Sequence, residues 1–109
     1  MLFRFYPKKK EIDIGAAKDF WKWFDENEKT IIERYRTDGV NLVHEIDRWI
    51  MPIFPYFNGE LEFQLGFNEG RGEFFFFHLG NKNLVRDGAT LGSLMPERLR
   101  SRWKYILEK

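Results

Sequence analysis

Hydrophobic residues recur at three- and four-residue steps through the first third of the chain. This spacing predicts a helix over residues 13–36 with Asp13 as its N-cap, because side chains three and four positions apart share one helix face. The apolar stripe of this helix comprises Ala17, Phe20, Trp21, Phe24, Ile31, Ile32 and Tyr35.

A second helical pattern follows a break at Thr37, Asp38 and Gly39. It predicts a helix over residues 40–51, which ends where Pro52 removes a backbone donor. The residues predicted to be buried on it are Leu42, Val43, Ile46, Trp49 and Ile50.

The hydrophobic period then changes from helical to two. In "ELEFQLGF", residues 60–67, apolar side chains alternate with other residues, which predicts a half-buried strand. The inward side chains are Leu61, Phe63, Leu65 and Phe67. "NEGRG" predicts a turn, and "EFFFFHL", residues 73–79, predicts the antiparallel partner strand.

The last quarter of the chain predicts a turn at 80–83, a short helix at 89–94 and a third strand in "RWKYILE". The expected fold is therefore α+β in the order ααββαβ, with two N-terminal helices packed on one face of a small antiparallel sheet. An extra N-terminal edge strand is predicted at residues 2–6, before Pro7. At 109 residues, the chain is expected to form a single domain, 1–109.

The register of the predicted hairpin decides which aromatic rings lie outside the core. Pairing Phe67 with Glu73 buries Phe75 under the helices and places Phe74, Phe76 and His78 on the opposite face. Burial of each ring is worth about 2 kcal/mol, so this face predicts a contact surface for a homodimer or another protein partner. The alternatives are cover by the N-terminal segment or a strand buried on both faces within one subunit.

Two residues of the first predicted helix do not fit its apolar stripe. Trp23 lies roughly 120° away from the stripe, whereas Glu28 lies near its centre. A carboxylate there must find a donor, reach the rim or mark a break in the helix. The ridge of Trp23, Asn27 and Arg34 beside Glu28 is the best candidate for a site. The alternative is that Trp23 packs on a neighbouring loop and Glu28 pairs with an arginine.

Composition and charge exclude several classes of function. Eighteen basic and seventeen acidic residues leave a net charge of +1, so no overall field attracts nucleic acid or an anionic membrane. The chain has no cysteine, which excludes disulfides and thiolate metal sites and fits a reducing cytosol. No apolar run is long enough to span a membrane. We expect a cytoplasmic protein.

No motif predicts catalytic chemistry, a metal site or a cofactor. His44 and His78 are the only histidines, and "HEIDR" has Arg48 where a zincin helix needs its second histidine. Neither serine lies in a nucleophile elbow. "RGEFFFFH" echoes an RNA-recognition strand, but Glu73 stands where a base-stacking aromatic residue is required, so nucleic acid is not an expected partner.

The arrangement of aromatic motifs resembles one family. "FWKWF" with "NE" two residues later, a paired-strand section, and "MP" followed by "RWKYI" are similar to a group of small uncharacterised bacterial proteins. That group opens on an F-W-x-W-F helix and ends on a proline and a tryptophan-led strand. The resemblance covers the chain from about Phe20 onward and implies the fold order but no activity. The serine-glycine turn associated with the family's second strand is replaced here by "HLGN".

The sequence therefore favours a binding protein over an enzyme. Its predicted function is protein–protein binding through an aromatic sheet face, and a toxin-neutralising immunity or adaptor protein is a specific version of that function. The alternative from another class is a small-ligand-binding domain or enzyme that uses Trp23 and a Glu28 carboxylate of raised pKa.

Overall fold

The computed structural model describes residues 10–109, and these form an α+β fold with helices packed on a three-stranded sheet. The predicted strand at residues 2–6 lies outside the described residues. The elements are α1 (Ile14–Glu26), α2 (Glu28–Thr37), α3 (Gly39–Ile50), a 3-10 turn (Met51–Ile53), β1 (Glu62–Asn68), β2 (Arg71–Phe77), α4 (Lys82–Ser93), α5 (Glu97–Arg100) and β3 (Trp103–Glu108).

The prediction of one long helix over residues 13–36 is wrong, because this segment forms two helices that meet at Asn27. Asp13 caps α1 as expected, and its Oδ1 accepts a hydrogen bond from the Ala16 N–H at 3.0 Å. At the other end, both the backbone N–H and the side-chain amide of Asn27 donate to the Trp23 carbonyl, at 3.0 and 2.9 Å. An asparagine side chain competes in this way for helix carbonyls, so α1 ends here and α2 begins at Glu28.

The sheet is mixed, which corrects the predicted antiparallel arrangement. Its strand order is β1-β2-β3, with β1 and β2 antiparallel and β2 and β3 parallel. A parallel pair needs a long crossover, and here α4 and α5 provide it. The predicted turn at 80–83 is in fact the start of α4, where the Asn81 side chain accepts hydrogen bonds from the N–H groups of Asn83 and Leu84. The observed order is αααββααβ.

The predicted hairpin register is wrong by one residue, and the error exchanges the two faces of β2. Glu69 and Gly70 form a two-residue turn with φ values of 54° and 77°. This tight turn pairs Asn68 with Arg71, whereas the prediction required a longer loop. As a result Phe74 and Phe76 are fully buried under the helices rather than on the opposite face.

Aromatic rings from α1 surround Phe74 at the centre of the core. The ring centroids of Phe20 and Trp21 both lie 5.8 Å from that of Phe74, and Phe24 lies 6.1 Å from it. The indole N–H of Trp21 donates to the Leu91 carbonyl at 2.8 Å, so this buried polar group is satisfied. These three rings confirm the predicted stripe of α1.

One residue on α2 and one on α3 that were predicted to be buried are exposed. Tyr35, on α2, is 40 % exposed and rests its ring edge against Phe67, with centroids 4.9 Å apart. On α3, Leu42, Ile46 and Ile50 are buried as predicted, but Val43 is 49 % exposed. The helices therefore cover the inner face of the sheet incompletely on the side of α3.

Two glycines allow α4 to approach the sheet closely. A Cβ at Gly92 would lie 2.3 Å from the ring of Tyr105, and one at Gly88 would lie 2.8 Å from Leu107. The Tyr105 hydroxyl donates to the Gly88 carbonyl at 2.6 Å. Burial of this phenol raises its pKa. Helix α4 is thus held against β3 by ring packing and by one buried hydrogen bond.

We predict that Gly92→Ala destabilises the protein by about 2 kcal/mol, because overpacking at Tyr105 outweighs the gain in helix propensity. The free energy of unfolding is measured by urea denaturation. Gly39→Ala is the matched control, since a Cβ there meets nothing within 4 Å. Equal stability of the two variants would contradict the close contact between α4 and β3.

Candidate functional site

The face of the sheet turned away from the helices carries a central apolar strip. Because side chains alternate along β2, Phe75 and Phe77 point to this face, and both are half-buried. Their rings stack with centroids 6.5 Å apart and planes 13° apart. Ile106, the register partner of Phe75 on β3, extends the strip sideways. We call this surface the outer sheet face.

Charges of opposite sign lie at the two ends of the outer sheet face. Glu62 pairs with Phe77 on one side and Glu108 pairs with it on the other, so two carboxylates flank that end. The other end carries Arg71 and Lys104, with Glu73 between them. Among the described residues, then, this face has an apolar centre, an acidic end and an end that is more basic.

The structure separates the residues that the sequence had grouped on this face. Phe74 and Phe76 belong to the core. His78 follows β2 and is half-buried. Its backbone N–H donates to the Glu108 carbonyl at 2.9 Å, and its ring Nδ1 accepts from the Gly80 N–H at 3.0 Å. In these contacts His78 fixes the turn that leads into α4.

Glu28 is paired, as the alternative interpretation of this residue required. Its carboxylate accepts hydrogen bonds from Nε of Arg102 at 2.8 and 2.9 Å and from the indole N–H of the buried Trp103 at 2.9 Å. Hydrogen bonding from Arg102 lowers the pKa of Glu28 despite its partial burial. The expected raised pKa is therefore wrong. The carboxylate lies beside the break between α1 and α2, where it satisfies Trp103.

The surroundings of Glu28 balance in charge. Asp25 lies 3.2 Å from Nε of Arg98 and 3.9 Å from Nη2 of Arg102. These four side chains line a shallow cleft of about 600 Å³. Two carboxylates facing two guanidinium groups leave no net charge to select an ionic ligand.

Trp23 belongs to a different cleft from Glu28. Its ring stacks on Trp49 of α3, with centroids 5.5 Å apart and planes 19° apart. The two indoles line a cleft of about 290 Å³ with Asp19, Lys22 and Glu26. Trp23 thus packs on a helix rather than on the predicted loop. The two parts of the predicted ligand site do not come together.

Arg34 and Asn27, the remaining members of the predicted ridge, make contacts that hold helices in place. Arg34 forms ion pairs with Glu45 of α3 and with Asp38, the latter at 3.3 Å, and so joins α2 to α3. Its hydrogen bond to Glu45 raises the pKa of the guanidinium. Asn27 caps α1. Neither residue projects a free polar group towards the cleft of Trp23.

Asp87 is a buried carboxylate that the sequence did not indicate. It is 2 % exposed and accepts hydrogen bonds from the Tyr56 hydroxyl at 2.6 Å and from Arg86 at 2.8 and 3.0 Å. Burial acts to raise its pKa, but the hydrogen bonds from Arg86 and Tyr56 outweigh this and lower it. Arg86 also donates to the Lys10 carbonyl. The group fastens the segment before β1 and the start of α1 to α4, and no local pattern around Asp87 signals it.

The described residues contain no other constellation that suggests chemistry. Within 10–109, no three histidine, aspartate or glutamate side chains converge as they would around a metal ion. The helices in the same range are too short or too polar for any of them to cross a membrane.

Comparisons of the chain with protein-family models, with curated proteins and with solved structures find no match. The resemblance to small bacterial proteins and the cytoplasmic location therefore stay predictions. The outer sheet face is the candidate site that the geometry of the chain itself supports.

We predict that Glu28→Gln lowers the free energy of unfolding by about 1 kcal/mol near neutral pH, because Arg102 is partly exposed and the ion pair is screened. A carboxylate of lowered pKa contributes stability above about pH 5, and this contribution is lost as the pH falls through the folded-state value. The difference from the wild type should therefore shrink on acidification. Urea denaturation over a pH series measures it.

Glu33→Gln, an exposed change on α2, serves as the control and should stay within about 0.5 kcal/mol of the wild type at every pH. A Glu28→Gln deficit that grows as the pH falls would contradict the pairing of Glu28.

Proposed function

We propose that the protein acts by protein–protein binding through the outer sheet face, and that the partner is a second copy of the same chain. The observation that carries this proposal is the pair of stacked rings, Phe75 and Phe77, on the face that the described helices do not cover. Aromatic residues are enriched at protein interfaces, and each ring gains free energy when it leaves water.

The charge distribution of the face supports self-association. When two identical sheets stack about a two-fold axis that runs across the strands, the ends of the strands exchange places. Lys104 of one copy then faces Glu108 of the other, and Arg71 lies towards the end that carries Glu62. An isologous interface requires self-complementarity of this kind.

The size of the face predicts a weak and reversible dimer. Three strands of six or seven residues cover roughly 300 Å², given strand spacings near 4.8 Å and a rise near 3.3 Å per residue. Stable interfaces bury about 800 Å² on each partner. Association is therefore expected to depend strongly on protein concentration. In the dimer the two sheets would lie face to face, about 10 Å apart.

Sedimentation velocity from low micromolar to near-millimolar concentration tests the proposal. The wild type should shift from monomer towards dimer, and Phe77→Thr should stay monomeric with a loss of only about 1 kcal/mol in stability, since the ring is half-exposed. Val85→Thr, which makes an exposed apolar position of α4 polar, is the control and should associate like the wild type. A wild type that stays monomeric throughout would overturn self-association.

The orientation of the dimer can be tested by exchanging charges. Lys104→Glu should weaken association, because it places a carboxylate opposite Glu108 of the other copy. The double variant Lys104→Glu with Glu108→Lys should restore it. Association that is insensitive to both changes would exclude the two-fold arrangement described above.

The toxin-neutralising or adaptor function remains a prediction from the sequence. In that function the outer sheet face would bind a different protein instead of a second copy. The small-ligand alternative has less support than the outer sheet face, since Glu28 is paired with Arg102 and Trp23 lies in a separate cleft.

A further inference from the structure

A groove separates α3 from the edge of β1 that does not pair with β2, on the side where the helices cover the sheet incompletely. Its volume is about 470 Å³. The lining residues come from one side of α3 and from the segment that leads into β1. We call it the edge groove, and it is lined by Val43, His44, Asp47, Met51, Gly59, Glu60, Leu61, Glu62 and Phe63.

Backbone hydrogen-bonding groups are available along one wall of the edge groove. β1 pairs with β2 on one side, and in residues 10–109 no strand lies on its other side. In an antiparallel pair, alternate residues direct their N–H and C=O groups away from the partner strand. An extended peptide can use such an edge to add a further strand to the sheet.

The opposite wall offers apolar contacts to the side chains of such a peptide. Val43 lies on α3 and Met51 directly follows that helix as the first residue of the 3-10 turn, and they are 49 % and 57 % exposed. Leu61 and Phe63 are half-buried and form the floor between α3 and β1. Alternate residues of an added strand would point into this apolar surface.

The electrostatics of the edge groove select a basic partner. Asp47, Glu60 and Glu62 contribute three carboxylates, and the described lining includes no lysine or arginine. None of the three takes part in an ion pair among the described residues. Unpaired carboxylates around an apolar groove attract cationic side chains and disfavour acidic ones.

We propose that the edge groove binds an extended protein segment in which apolar residues alternate with lysine or arginine, and that this segment adds to β1 as a fourth strand. The apolar residues contact α3, and the basic residues point to the other face of the added strand, towards Glu62. The edge groove meets the outer sheet face at Glu62. The peptide tests below use changes at Glu60 and Asp47, and the dimer tests use changes at Phe77, Lys104 and Glu108, so each proposal can fail without the other.

The test uses a capped heptapeptide of alternating valine and lysine, titrated into nitrogen-15-labelled protein and followed by NMR. Saturable shifts are expected at Val43, Leu61 and Phe63. The same peptide with glutamate in place of lysine should bind at least about tenfold more weakly. Equal affinity for the two peptides, no binding of either, or shifts confined to the outer sheet face would overturn the proposal.

Selective N-methylation of the peptide tests strand addition itself. Amide groups of alternate residues point to the same edge of a strand, so only one of the two alternating sets can donate to β1. Two peptides are compared: the first is N-methylated at its valines and the second at its lysines. Only one of these two peptides should still bind. Retention of binding by both would exclude strand addition.

Charge variants of the protein complete the test. Glu60→Lys should weaken binding of the lysine peptide about tenfold and strengthen binding of the glutamate peptide. Glu33→Lys on α2 is the matched control and should leave both affinities unchanged. Asp47→Asn provides a second variant that changes the groove with little steric effect. Unchanged affinities in both Glu60→Lys and Asp47→Asn would contradict the assignment.

Discussion

The register of the central strand β2 is the constraint on which the rest of the structure depends. Every second side chain of β2 faces the helices, and the two-residue turn at Glu69 and Gly70 sets which ones they are. Phe74 and Phe76 therefore supply the floor of the core, and Phe75 and Phe77 supply the outer sheet face. A slip of one residue would exchange both sets at once.

The helices are arranged around that floor. Rings of α1 meet Phe74 edge-on, and Phe54, after the 3-10 turn, stacks on Phe76 with centroids 5.0 Å apart. Two carboxylates near this core bind partners distant in sequence: Glu28 accepts from Trp103 and Asp87 accepts from Tyr56. The charged residues that first suggested a ligand site thus hold elements together. Among residues 10–109, the candidate binding surfaces lie where the helices do not cover the sheet.

The sequence predicted those parts of the fold that depend on local periodicity. The core face of α1, the buried positions Leu42, Ile46 and Ile50 of α3, and the inward alternation of β1 follow from side-chain spacing alone. The break at Asn27 was only one of three alternatives that the position of Glu28 left open, because the apolar spacing continues across it to Ile31. It depends on a competing side-chain hydrogen bond that periodicity does not contain.

The position of the candidate site could be predicted only in part. An aromatic face opposite the helices follows from four consecutive phenylalanines, since alternation must place two of them on each side of a strand. Which two depends on the length of a turn between strands, and a glycine-rich segment such as "NEGRG" admits more than one length. The direction of β3 likewise depends on α4, whose start at Asn81 resembles a turn in sequence.

The central claim is that Phe75 and Phe77, and not Phe74 and Phe76, form the contact between two copies of the chain. The most direct measurement is an isotope-filtered NOE experiment on mixed carbon-13-labelled and unlabelled protein, at a concentration where association is seen. Intermolecular NOEs are expected from the rings of Phe75 and Phe77 and from the methyl groups of Ile106. Intermolecular NOEs that arise only from helical residues, or none at all, would contradict it.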